Sequence, residues 1–332
     1  MIGSRSLGGF VTAFAVAAFA AAMPGASDVQ AAEYPTQPII FVAPGTLGGG
    51  SDVQARLAAN IATASGIFGN QPIAVLNKGG GGSQEAFTFL LSHRDDPHYL
   101  LTFQASLITY TLLGEAQYKL EDFTPLANVA IDPVIMVTRA DSEFKTLDEV
   151  IKAAKAAPDT ITTGGGGVAG PDRMGLLRLQ EAAGFTVRYV PFAGGGEIHR
   201  NVLGGHVQVA VGNPSDFMAS IEAGELVGLA LLDSERSTVP ALANVPTAKE
   251  QGYDVSFATF RGWFMPGTVD PEVKKTLEGI FKQVTEHPDF KEKYADRYGM
   301  RVAYMNSEDF TKYLDERVVE FRELLTKSGV IK

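Results

Sequence analysis

Short apolar runs alternate with amphipathic stretches along nearly the whole chain after residue 34. Pro38-Ile39-Ile40-Phe41-Val42 is a continuous apolar run, the pattern of a strand buried on both faces. It leads into Ser51 to Ala64, where Val53, Leu57 and Ile61 recur every four residues, as one face of a helix requires. Further strands are expected at Ile73 to Leu76, Tyr99 to Phe103, Val134 to Thr138, Val187 to Phe192, Val207 to Val211 and Val227 to Leu232. Helices fall between them. Thr146-Leu147-Asp148-Glu149 spells a capping box, in which the Thr oxygen and the Glu carboxylate each take a free backbone N–H. That helix should end by Pro158. Another should start at Asp270-Pro271, and a long last one at Asn306-Ser307, ending near Gly329. Strand and helix alternating in this way predict an α/β fold of parallel sheets flanked by helices.

Composition narrows the class. The 332 residues are 45% hydrophobic and 20% charged, enough apolar material for a large core spread over about two domains. Lys and Arg total 28 against 38 Asp and Glu, a formal net charge of -10, and no basic run offsets it. A partner held by counterion release needs the opposite sign, so nucleic acid is not expected. The chain has no cysteine, which removes disulfides, thiolate metal sites, cysteine nucleophiles and a lipidated amino-terminal cysteine. Residues 1–31 read as an export signal: Arg5 is followed by the apolar stretch Leu7 to Met23, the helix breakers Pro24-Gly25, and small residues around Val29-Gln30-Ala31. Cleavage there would leave a soluble periplasmic protein, whereas an uncleaved signal would be a membrane anchor.

Glycine is in excess at 36 residues, and the excess is clustered. The blocks Gly48-Gly49-Gly50, Gly79 to Gly82, Gly164 to Gly167 and Gly194-Gly195-Gly196 each follow an expected strand and precede an expected helix. Those are the carboxyl ends of strands, where α/β proteins place ligands. Glycine there lets backbone N–H groups approach an anion, and the next helix offers its positive end. A single block is better explained by a tight turn; four at equivalent positions reverse that and point to an anion receptor built from backbone.

Other chemistries leave no trace. No P-loop, nucleophile elbow or zinc-protease helix occurs. Gly165-x-Gly167-x-x-Gly170 fits the dinucleotide pattern by letter, but the next expected strand ends in Val190-Pro191-Phe192 without an acidic residue for a ribose. His93 and His98 sit in a charged segment that reads as a solvated turn, and His199 and His206 lie around a helix end. Neither a catalytic residue, a metal site nor a cofactor is expected, and the chain does not read as an enzyme.

The whole mature chain resembles the substrate-binding receptors of tripartite tricarboxylate transporters, the Bug-type family. The likeness runs in order through Tyr34-Pro35-Thr36-Gln37-Pro38-Ile39, Gly48-Gly49-Gly50-Ser51-Asp52, Asn77-Lys78-Gly79-Gly80-Gly81-Gly82 and Asp122-Phe123-Thr124-Pro125-Leu126-Ala127. It continues through Val190-Pro191-Phe192-Ala193-Gly194-Gly195-Gly196-Glu197, Leu203-Gly204-Gly205-His206-Val207, Asn213-Pro214-Ser215, Ala223-Gly224-Glu225-Leu226, Val245-Pro246-Thr247 and Arg261-Gly262. The resemblance implies a type II-like, two-lobed periplasmic binding protein, each lobe a sheet flanked by helices, with the ligand cleft between lobes. Lobe 1 would be residues 34–135 and 255–332, and lobe 2 residues 136–254. By matching position, ligand contacts would fall on Gly48, Gly49, Ser51, Asp52 and Ser106, and from the second lobe on Ala169, Gly170, Arg173, Gly194, Gly195 and Asn213.

Three positions carry competing readings. Asp52 suits a helix cap as well as a ligand contact. Arg173, where many relatives carry histidine, would pair bidentately with a second carboxylate or point to solvent. Arg261, beside the expected lobe crossing, joins the site set with a structural ion pair as its alternative. Leu47 departs from the usual proline and would bring an apolar side chain to the pocket mouth, and Trp263 would lie near the hinge. The function implied is an extracytoplasmic receptor that captures a tri-, di- or aromatic carboxylate and delivers it to membrane permease subunits. The alternatives are a sensory subunit presenting the ligand to a signalling receptor, and an extracytoplasmic hydrolase on the same fold.

Overall fold

The computed structural model describes Met1 and residues 34–45, 47–79 and 84–332. The expected export signal and Gly80 to Gly82 of the second glycine block lie outside the described residues. In chain order, β1 (Ile39–Ala43) leads to α1 (Gly50–Ala64), β2 (Ile73–Asn77) to α2 (Gln84–Leu91), and β3 (Tyr99–Phe103) to α3 (Ser106–Leu112). The long β4 (Phe123–Pro133) is followed at once by β5 (Ile135–Arg139), then α4 (Leu147–Ala156), β6 (Thr162–Gly166) and α5 (Pro171–Ala183). Next come β7 (Arg188–Phe192), α6 (Gly195–Leu203), β8 (Val209–Gly212), α7 (Pro214–Glu222) and β9 (Leu226–Leu231). Finally β10 (Ala258–Pro266), α8 (Pro271–Glu286) and β11 (Arg301–Met305) precede a C-terminal helix, Ser307–Lys327. The capping box at Thr146 forms as expected, with the Thr146 hydroxyl accepting from the Glu149 N–H at 3.2 Å.

Two sheets result, in the orders β11-β4-β10-β3-β1-β2 and β7-β6-β8-β5-β9. The fold is α/β and two-lobed, each lobe a sheet flanked by helices. The expectation of parallel sheets needs correcting, because both sheets are mixed. β1 pairs in parallel with β2 and β3, and β6 with β7 and β8, while β4, β10 and β11 and the pairs of β5 are antiparallel. The cause is the double crossing. The chain leaves the first sheet through β4 into β5 and returns from β9 into β10, so the two crossing segments run in opposite directions and pair from Ala258↔Pro133 to Pro266↔Phe123.

A hydrophobic cluster joins the lobes. It contains Val42 and Leu101 of the first sheet, Met136 and Val209 of the second, and Phe310, Phe321 and Leu324 of the C-terminal helix. That helix also reaches α5 through Arg178–Glu320 at 3.2 Å. Trp263 is fully buried in a separate cluster and stacks on Phe281 at 4.5 Å, so it sits in the first lobe's core and not at the hinge.

The third glycine block also differs from its expected place. Gly164, Gly165 and Gly166 are strand residues of β6, not a loop. A Cβ on Gly164 would lie 2.8 Å from the Phe192 ring, and one on Gly165 would lie 2.6 Å from the Tyr189 hydroxyl. Glycine is present so that the aromatic side chains of β7 can lie across β6. Gly165→Ala is therefore expected to destabilise the protein by ~1–3 kcal/mol through overpacking, read as a lower urea midpoint with unchanged slope.

Candidate functional site

The strand ends of both sheets open onto one cleft of ≈ 700 Å³. Parallel pairing sets this up: β1 and β3 are neighbours, so the loops after Ala43 and Phe103 emerge side by side. The same holds for β6 with β7 and β8 in the second sheet. Each loop then enters a helix. The cleft wall is built from the first turns of α1 (Gly50, Ser51, Asp52), α5 (Pro171, Asp172), α6 (Gly195) and α7 (Ser215, Asp216). First-turn N–H groups have no partner within their own helix, so four positive helix ends line one cavity.

A repeated device holds these loops in shape. At each junction a first-turn carboxylate reaches back and accepts a backbone N–H from the loop or strand end before its helix. Asp52 accepts from Gly48 at 2.9 Å, Asp172 from Gly166 at 2.8 Å, Glu197 from Ala193 at 2.9 Å, and Asp216 from Asn213 at 3.1 Å. Gly48 takes a φ of 79°, which favours glycine. Gly195 is needed for a different reason: a Cβ there would lie 1.9 Å from Oδ1 of Asp216.

Of the expected contacts, Gly48, Gly49, Ser51, Asp52, Ser106, Ala169, Gly170, Gly194, Gly195, Asn213 and Arg261 all line this cleft. Arg173 does not. It is half-buried with its guanidinium 4.2 Å above the Tyr189 ring, whose hydroxyl donates to the Gly167 carbonyl at 3.0 Å. The aromatic face supplies the reason for a cation at a helix start. Leu47 is 72% exposed and is not part of the cleft wall. Gly79 backs the first loop from behind, where a Cβ would meet the Gly45 carbonyl carbon at 3.0 Å.

Arg261 lines the cleft and forms the ion pair that was its alternative reading. Its side chain lies beneath the first loop, 3.3 Å from where a Cβ on Gly50 would stand, and it is buried against Asp132 of the crossing strand. Nε of Arg261 donates to Asp132 Oδ2 at 3.0 Å and a second guanidinium N–H reaches the same oxygen. Burial weighs against the charge on Arg261, but the Asp132 carboxylate outweighs it and holds the guanidinium proton more tightly than usual. Asn213 ties the second lobe to the same place by donating to the Pro133 carbonyl at 3.3 Å.

The acids of the wall differ in electrostatics. Burial opposes the charge on Asp52, yet Arg56, 2.8 Å away, and the Gly48 N–H keep its carboxyl below the usual range. Asp172 is buried without a cation beside it, and burial together with the nearby Asp216 pushes it up to about 7. Burial likewise raises Asp216 to about 6.

Sequence reasoning missed Asp132, Asp172, Asp216, Gln104, Tyr110 and Glu115, all but Asp132 on the cleft wall. The first-turn acids had a readable signal, since each stands one to five residues after a glycine block or Asn213. His98 also needs correcting: it is buried and takes a hydrogen bond with Asp96 at 2.8 Å, so it is not a solvated turn residue. His199 lies 2.9 Å from Ser220, but the Ser220 hydroxyl donates to Glu225 at 2.8 Å. Its proton is directed to a carboxylate, and none of the three residues is on the cleft wall.

With this geometry in hand, likeness to known proteins decides the family. The sequence model described as tripartite tricarboxylate transporter family receptor matches residues 55–330. The chain belongs to this receptor family. It is 30% identical over 315 residues to the UPF0065 protein in the gbd 5' region of Cupriavidus necator, covering 94% of this chain and 93% of that one. A solved TctC solute-binding protein from Polaromonas is 26% identical with a TM-score of 0.74, covering 89% of this chain and 99% of its own. A protein from R. palustris, solved with adipate, shares the fold at 19% identity and a TM-score of 0.75, covering 90% and 99%.

Two outcomes test the electrostatic reading of this receptor's cleft. Asp132→Asn leaves Arg261 buried without its counter-charge and is expected to cost ~3–5 kcal/mol of stability, measured by urea denaturation. Asp172 and Asp216 retain protons up to pH values where the unfolded chain has already lost them. Their contribution to stability therefore declines as pH rises from about 4 to about 7. Asp172→Asn should flatten the fall in Tm of ligand-free protein between about pH 5 and 8; an unchanged slope counts against a protonated Asp172.

Proposed function

We propose that this receptor works outside the cytoplasm, in the periplasm, capturing a small organic carboxylate and delivering it to the membrane permease subunits of a tripartite transporter. The observation that carries the reading is the convergence of four helix amino ends on one cleft. In this reading, residues 34–135 and 255–332 form one lobe, residues 136–254 form the other, and the two close over the ligand about the β4–β5 and β9–β10 crossings. The adipate held by the R. palustris protein supports a carboxylate as ligand.

The energetics are adequate. Micromolar affinity corresponds to about 8 kcal/mol, and a hydrogen bond to a charged group contributes ~1.5–3 kcal/mol. Four or five N–H donors from Gly49, Ser51, Gly170, Gly194 and Gly195 would suffice without a side-chain cation. Specificity then falls to the side chains that remain: Ser106, Gln104, Tyr110 and Asn213.

A thermal-shift screen of the mature protein against mono-, di-, tri- and aromatic carboxylates tests this. A ligand at 100 times its Kd should stabilise by ~2.7 kcal/mol. Gly194 has extended backbone and open space where a Cβ would go. Gly194→Leu should consequently fold with the parent Tm and bind at least tenfold more weakly. Equal shifts for the variant and the parent protein would show that the ligand sits elsewhere.

A further inference from the structure

The cleft is polarised along α3. Ser106, Thr109, Tyr110 and Leu113 all line it, and their spacing of three and four residues makes them one face of a helix. This helix therefore lies along the cavity wall instead of pointing into it. Its Ser106 end stands beside the glycine loop that follows β1, because β1 and β3 are parallel neighbours. Its other end, at Leu113, is ~10 Å away at 1.5 Å per residue. Just beyond it Glu115 joins the wall, exposed and with no ion-pair partner among the described residues.

Cations are scarce in this cavity. Among the described residues that line it, Arg261 is the one cationic side chain, and Asp132 already holds it. Arg173, expected to receive a second carboxylate, is instead engaged by the Tyr189 ring outside the cleft. Lys119, four residues past Glu115, is not on the wall either. The remaining charged side chains lining the cavity are Asp52, Asp172, Asp216 and Glu115. A second carboxylate on the ligand would meet Glu115 with no free cation on the wall to neutralise it. A cation there would pair with Glu115, and Leu113 with the Tyr110 ring would flank an aliphatic stem between the two ends.

We infer that the ligand is a linear amino carboxylate, its carboxylate at the glycine loops and its protonated amine at Glu115, and not a di- or tricarboxylate. The inference rests on the receptor reading above, and it names the class of molecule that the receptor selects.

Three six-carbon probes separate the possibilities by isothermal titration at pH 7.5: 6-aminohexanoate, adipate and hexanoate. The expected result is that 6-aminohexanoate binds at least fivefold more tightly than adipate, with hexanoate in between. Glu115→Gln, an exposed substitution, should bring the ratio of 6-aminohexanoate to adipate affinity down to twofold or less. Adipate binding as well as or better than 6-aminohexanoate overturns the inference, and so does a ratio that Glu115→Gln leaves unchanged. In both cases binding of hexanoate or adipate leaves the receptor reading intact. Failure of all three probes, and of the wider carboxylate panel, would instead remove the receptor reading itself.

Discussion

Everything at this cleft depends on how a first-turn carboxylate ties down the loop in front of its own helix. A βα loop rich in glycine has many accessible conformations, and ordering it costs about 1–2 kcal/mol per residue. A bond from the loop N–H to Asp52, Asp172, Glu197 or Asp216 closes a ring of only a few residues, so the loop is fixed locally. The carboxylate also sits at the positive end of the helix, where its charge is favoured. One side chain thus shapes the loop and starts the helix. The neighbouring amides, left without partners, are then held ready before any ligand arrives, and preorganisation of that kind is what lets backbone donors act as a receptor.

The Arg261–Asp132 pair does the corresponding task between strands. Both residues belong to the crossing strands that carry the chain from one sheet to the other, and both are buried under the first glycine loop. A buried ion pair is poor value for stability compared with apolar packing, yet breaking it by removing one partner is severe. Its effect here is to fix the register of β4 against β10 where a bulge falls between Arg261 and Gly262. Asn213, bonded to the Pro133 carbonyl, brings the second lobe into the same network. The floor of the cleft is consequently set by the crossing itself, while its walls are set by the loops.

Much of this was legible in the sequence, and the failures share a cause. β1, β3 and the helices at Thr146, Asp270 and Asn306 follow from local pattern and caps, and the structure has them within a residue or two. β4 and β10 were missed. Pro125, Asn128 and Asp132 break the apolar pattern of one, and Arg261 and Gly262 that of the other. Each polar residue, read alone, marks a solvent position. Only partners more than 100 residues away, Arg261 for Asp132 and Arg261 with Ala303 for Asn128, make them core residues, and pattern carries no information about such pairings. β6 failed for the reverse reason: its glycines look like a turn until the rings of Tyr189 and Phe192 are laid across them. That the expected positions share one cleft follows from topology, because loops at the ends of neighbouring parallel strands emerge side by side. Arg173 went astray because the ring that holds it belongs to the neighbouring strand β7.

The proposed capture of an acid by a protein of net charge -10, in a cleft walled by four carboxylates, looks self-defeating, and distance resolves it. At physiological salt the field of exposed charges decays over roughly 8 Å, so the net charge acts weakly on a ligand already in the cleft. The wall acids do act at that range, but three of the four are engaged by the loop N–H groups that they organise, and Asp172 and Asp216 keep protons to about pH 7 and 6. Their negative potential is largely spent on the backbone and their charge is partly absent. The free amides at the helix ends then dominate at contact, where a hydrogen bond to a carboxylate is strongest. Glu115 is the exception, exposed and without an ion-pair partner among the described residues, just past the end of α3, and it is this asymmetry, not the total charge, that distinguishes the two ends of the cleft.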